Sequence, residues 1–125
     1  MNDIDRTARE LEKEIVKKGS IEAYQDYSIA YLEDQQFGSF YKMAKIMADK
    51  YDYVPAYYDV FSTILDRKNN YHTEDVYSLE GLSEKEKQEA IHYLKVGVKK
   101  GNTQCKWIVK KYIKEKRYFS KEDMP

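Results

Sequence analysis

The chain has one cysteine, two prolines, five glycines and two histidines in 125 residues. A single thiol excludes an internal disulfide and fits a reducing compartment. So little proline and glycine leaves small scope for coil and favours helix. No apolar run approaches the roughly 18 residues needed to cross a bilayer. The start, Met1-Asn2-Asp3-Ile4-Asp5, is acidic and lacks the apolar core of a signal peptide. A cytoplasmic protein is expected. Catalytic material is equally scarce, with no glycine-rich phosphate loop and no nucleophile motif. His72, Glu74 and Asp75 are near neighbours but fall short of a metal signature, and His92 reads as a helix-surface residue. No enzyme, cofactor or metal is expected.

What is present is charge and tyrosine. Charged residues make up 35% and apolar residues 42% of the chain, which at this length suits one domain with a real core. The formal net charge is zero, yet it is divided. Residues 1–94 hold 12 Lys/Arg against 19 Asp/Glu, whereas residues 95–121 hold 10 against the single Glu115. Surfaces of opposite sign follow. Tyrosine occurs thirteen times.

Apolar spacing predicts six helices and an all-α fold. The first covers about 4–18, with Ile4, Ala8, Leu11 and Ile15 on one stripe. Gly19 supplies a left-handed stop and Ser20 caps a second helix over about 21–34. A third spans about 40–51, and a fourth about 54–67, with Pro55 in its first turn. Residues 68–82 carry no period and read as a loop, a length that is often functional or mobile. Ser83 with Glu86 forms a capping box for a fifth helix over about 84–100. Gly101 ends it, Asn102 caps the sixth, which runs to about 117, and Ser120 to Pro125 read as frayed.

One pattern returns along the chain. Val16-Lys17-Lys18-Gly19 recurs as Val98-Lys99-Lys100-Gly101, with a weaker copy at Asp49-Lys50-Tyr51-Asp52. Placing Gly19, Asp52 and Gly101 in register aligns Ile15, Ala48 and Gly97 before the joint. It aligns Ala23, Ala56 and Cys105, then Tyr27, Val60 and Val109, after it. Three antiparallel hairpins are predicted, at about 4–34, 39–67 and 83–118, with a period near 34 once the loop is removed. Small residues fall where two helices must approach closely.

The run Ala23-x3-Tyr27-x2-Ala30 resembles the second helix of tetratricopeptide repeats. Ala90-x2-Tyr93-Leu94-x2-Gly97-x3-Gly101-Asn102-x2-Cys105 is similar to the Sel-one-like branch of that superfamily. The resemblance covers about residues 8–118. It implies a short right-handed α-solenoid with a concave groove that assembles or restrains protein partners.

In that superfamily the second helices of the hairpins line the groove. Tyr24, Tyr27, Tyr31, Tyr57 and Tyr58 fall there and are candidate anchors. The plainer reading makes them wedges between hairpins, although Tyr57 and Tyr58, as helix neighbours, cannot both face one core. Lys106, Lys110, Lys114 and Arg117 form a basic stripe on the sixth helix, and Glu22, Asp26 and Glu33 an acidic one on the second. The basic stripe suits an acidic protein surface or serves as the solvated face of a terminal repeat. Zero net charge argues against nucleic acid. A monomer is favoured, because exposed ion pairs contribute little to self-association. The expected function is a module binding one protein partner through aromatic residues with a charged rim. The alternative is a bacterial immunity-type inhibitor that neutralises a cognate toxin.

Overall fold

The computed structural model describes residues 7–34, 40–68 and 75–124, the side chains of 31–34 excepted. These residues form six α-helices and one short 3₁₀ turn, with no strand among them. The protein is all-α. Its chain forms two compact units, Met1–Tyr53 and Val54–Pro125.

The first unit holds α1 (Ala8–Lys18), α2 (Ile21–Asp34) and α3 (Phe40–Asp49). Helices α1 and α2 pack as a hairpin, and α3 lies against both. Helix α1 starts later than its apolar stripe predicts, because Thr7 and Glu10 close a reciprocal capping box. The Glu10 N–H donates to Thr7 Oγ1 at 3.2 Å, and the Thr7 N–H donates to Glu10 Oε1 at 3.0 Å. Ser20 caps α2 by accepting from the Ala23 N–H at 3.1 Å.

The second unit holds α4 (Val54–Leu65), α5 (Glu84–Lys99), α6 (Thr103–Lys114) and the 3₁₀ turn Lys121–Asp123. Helix α5 packs against both α4 and α6, which also touch each other. The Ser83–Glu86 box opens α5, and Asn102 Oδ1 caps α6 by accepting from the Cys105 N–H at 2.9 Å.

The three joints share a left-handed residue. Gly19, Asp52 and Gly101 all take positive φ, at 61°, 52° and 90°. At Gly101 the N–H bonds back three residues, to Val98, and the next N–H back five, to Gly97, which is a Schellman stop; at Gly19 and Asp52 the corresponding N–H groups bond back four and six residues. Asp52 stands where glycine is usual, and Asp is among the few residues that tolerate this region. Aligned side chains also share their burial. Ala23, Ala56 and Cys105 are fully buried, as are Tyr27, Val60 and Val109. Tyr51 Oη donates to the Val16 carbonyl at 2.7 Å, and Asn102 Nδ2 to the Val54 carbonyl at 2.9 Å. The second joint is thus bonded to the end of α1, and the third to the start of α4.

Two segments depart from expectation. The described part of the 68–82 loop is anchored, with Ser78, Leu79 and Leu82 buried. Of the residues expected to fray, Lys121–Asp123 form the 3₁₀ turn, with the Ser120 N–H donating to Asp123 Oδ2 at 2.7 Å, and Pro125 lies outside the described residues. Helix α6 stops at Lys114 because Lys116 turns left-handed at φ 58°, and the chain folds back. Phe119 is buried and stacks on Tyr112 at 6.0 Å, while Tyr118 meets the same ring edge-on at 4.9 Å. Apolar burial holds this tail where its polar composition gave no periodic signal.

Candidate functional site

The expected aromatic set divides. Tyr24 is buried against Phe40 (5.5 Å, stacked) and Tyr53 (5.9 Å, edge-on). Tyr27 is buried with its hydroxyl donating to Glu12 Oε2 at 2.6 Å, and Tyr57 is buried beside Tyr93 at 6.4 Å. These three rings serve packing, not a groove open to a partner. Their stripe on α2 and α4 is the inward stripe, and one stripe cannot face both the core and a ligand. The Tyr31 side chain lies outside the described residues. Tyr58, about 100° around α4 from Tyr57, is half-buried and remains a surface-reaching ring. Glu22 is exposed and Asp26 half-buried, both in the first unit.

In the second unit, a face forms from α4, α6 and residues 75–77. Its foundation is Asp75. The Asp75 carboxylate accepts from the Tyr77 N–H at 3.0 Å, from Lys111 Nζ at 3.4 Å and from Arg117 Nη2. Burial alone would raise this carboxyl. The Tyr77 N–H, Arg117 and Lys111 together outweigh burial and hold it below the ordinary value of 3.8. Lys68, just past α4, donates to the carbonyls of Val76 (2.7 Å) and Ser78 (3.0 Å). The Tyr112 hydroxyl donates to the Tyr77 carbonyl, and Tyr118 Oη accepts from the Leu79 N–H at 3.2 Å. Residues 75–79 are therefore fixed from both α4 and the α6 side.

On this foundation stand exposed apolar groups. Trp107 is 56% exposed and Val76 65% exposed. The Tyr77 ring meets Trp107 edge-on at 5.5 Å, a favourable aromatic geometry. Tyr77 also forms one wall of a recess of about 340 Å³, completed by Tyr58, Ser62, Leu65 and Val76, with Asp66 and Lys68 at its edge. Burial raises the Tyr58 phenol, and Tyr77 adds to the shift, so the Tyr58 hydroxyl stays neutral.

Cations border the aromatics. Lys110, Lys111 and Lys114 follow Trp107 at i+3, i+4 and i+7 and share its helix face. Lys110 and Lys114 are exposed, Lys106 half-buried, and among the described residues none of these three has an ionic partner. Arg117, expected to extend the stripe, is instead paired with Asp75 and Glu115, as is Lys111. Trp107 and Tyr77 were not legible as site residues. The only signal for Trp107 was its place on a face otherwise occupied by lysines.

Other candidates are placed elsewhere. His72 and Glu74 lie outside the described residues, and Asp75 is engaged as above. Among the described residues, no group of three or more His, Cys, Asp or Glu gathers to hold a metal. His92 is exposed, edge-on to Tyr93 at 5.2 Å. Cys105 is fully buried, which with Asp59 nearby pushes its thiol up to about 12 and leaves it inert. No helix among the described residues is long and apolar enough to cross a membrane.

No family model, no curated protein and no solved structure matches this chain.

Proposed function

We propose that this chain is a helical-repeat protein-interaction module, of tetratricopeptide or Sel-one-like kind, which holds one protein partner. Its contact face is the Trp107–Tyr77–Val76 surface of the second unit. The observation that carries this reading is Trp107, whose large ring stands mostly in solvent on a regular helix, braced by Tyr77. Exposing an indole forfeits the stabilisation that burial would bring, roughly 25 cal/mol for each Å² left in water. Tryptophan is also the residue type most enriched among the energetic centres of protein interfaces. The fixed 75–79 backbone supports the reading further, because a face already ordered loses less entropy on binding.

A photo-crosslinking amino acid at position 107, with one at the exposed α5 position 88 as control, tests it in the native cell. One protein captured at 107 and not at 88 is expected. A folded protein that captures nothing at 107, or captures equally at both positions, would remove the face from consideration.

A further inference from the structure

The proposed face has a chemistry that selects among partners, and the next step rests on the reading just given. Three ammonium groups, on Lys106, Lys110 and Lys114, run as an i, i+4, i+8 stripe beside Trp107 without an ionic partner among the described residues. The neighbouring cations Lys111 and Arg117 are already satisfied by Asp75 and Glu115. The unneutralised charge is therefore one-sided and localised along α6. Across Tyr77 from Trp107 lies the recess walled by Tyr58, Leu65 and Val76. At about 340 Å³ it stands at the small end of ligand clefts, which run about 300–1,000 Å³. That size suits one large side chain better than a whole cofactor.

We infer that this face takes an acidic peptide segment bearing one aromatic or large aliphatic anchor. The anchor enters the recess between Tyr58 and Tyr77 while the carboxylates of the segment reach Lys106, Lys110 and Lys114 beside Trp107. Apolar contact supplies most of the affinity, and charge supplies orientation and encounter rate. A nucleic-acid backbone fits less well. Its charges are continuous, whereas the cations without an ionic partner among the described residues of α6 are confined to one short stripe.

Fluorescence anisotropy with the intact chain and labelled synthetic peptides tests the inference. The probes are a Glu/Asp-rich peptide with one central Phe, the same peptide with Ala for Phe, and an Asn/Gln version keeping the Phe. A single-stranded oligothymidine is the fourth. Saturable binding of the acidic Phe peptide is expected, weaker by about tenfold without the Phe and by about tenfold without the charges. Raising salt from about 50 to about 200 mM should weaken it measurably. Trp107→Ala, and Lys110→Glu with Lys114→Glu, should each reduce affinity by about tenfold with unchanged helicity and melting. Equal binding of the neutral peptide, or tighter binding of the oligothymidine, overturns the inference. So does absence of peptide binding. If position 107 still captures a protein in cells while every acidic peptide fails, the interaction face stands and only its partner chemistry falls.

Discussion

Gly97 of α5 and Cys105 of α6 occupy one another's space. A β-carbon on Gly97 would collide with Cys105 Sγ and stand 3.0 Å from Cys105 Cβ and 3.3 Å from Tyr57 Cβ. Glycine within a helix costs about 0.5–1 kcal/mol relative to alanine, so this position keeps a residue that its helix disfavours. The close approach of α5 to α6, and with it the placement of Trp107, depends on that exchange. At the first joint the aligned pair is Ile15 and Ala23, with the larger residue on the other helix.

Gly97→Ala should therefore destabilise by about 1–3 kcal/mol despite the better helix propensity, because the added methyl meets fully buried atoms. Cys105→Ala removes the sulfur that it strikes. The double variant should recover part of the loss in urea denaturation, leaving a coupling energy of about 1 kcal/mol. Strict additivity would mean that the two side chains do not share that space.

Gly19 and Gly101 both adopt left-handed backbone, but their surroundings differ. A β-carbon at Gly101 meets open space, whereas at Gly19 it would enter the ring of Tyr51, which is tied by its hydroxyl to the Val16 carbonyl. Gly101→Ala should show the backbone cost alone, about 1–2 kcal/mol. Gly19→Ala should cost at least about 1 kcal/mol more, through the displaced ring. Far-UV circular dichroism in urea separates them; equal losses would show that Tyr51 yields freely.

The anchoring of residues 75–79 should be acid-sensitive. The folded Asp75 carboxyl lies below its ordinary 3.8, so its stabilisation is present above that value and drains as pH falls through the folded one. Asp75→Asn keeps an acceptor for the Tyr77 N–H and removes only the charge. The variant should be less stable than the parent near pH 7, and this gap should narrow as pH falls below 3.8. Thermal melting across that range reads the difference. A gap independent of pH would mean that the ion pairs with Arg117 and Lys111 contribute nothing.

The helices and joints were legible because their causes are local. Ser20, Ser83 with Glu86, and Asn102 cap helices through atoms within three residues, so sequence neighbours suffice to predict them. The Gly19–Asp52–Gly101 register was legible for the same reason, even where Asp replaces glycine. What was not legible depends on distant partners. Asp75 reaches Arg117, and Tyr112 reaches Tyr77, across more than thirty positions, so neither loop nor tail showed its order in any period. The site was harder still. A tyrosine on a helix reads the same whether it packs, as Tyr24, Tyr27 and Tyr57 do, or reaches the surface, as Tyr58 does. Only the tertiary fold decides.

Trp107 offers the most direct test of the face, because it is the only tryptophan in the chain. An indole 56% exposed should emit at long wavelength in the folded protein and be open to aqueous quenchers. Lys106, Lys110 and Lys114 set a positive potential around it, which concentrates anions and repels cations. Iodide should therefore quench Trp107 more strongly than caesium, by about twofold or more at low salt, and the ratio should fall as inert salt is added. Replacing Lys110 and Lys114 with glutamate should reverse the preference while leaving neutral acrylamide quenching unchanged. Blue emission with poor acrylamide access in the folded chain would place the ring under cover and exclude it as a free anchor. Iodide and caesium quenching equally, with acrylamide access intact, would instead show an exposed ring without the positive field that an acidic segment needs.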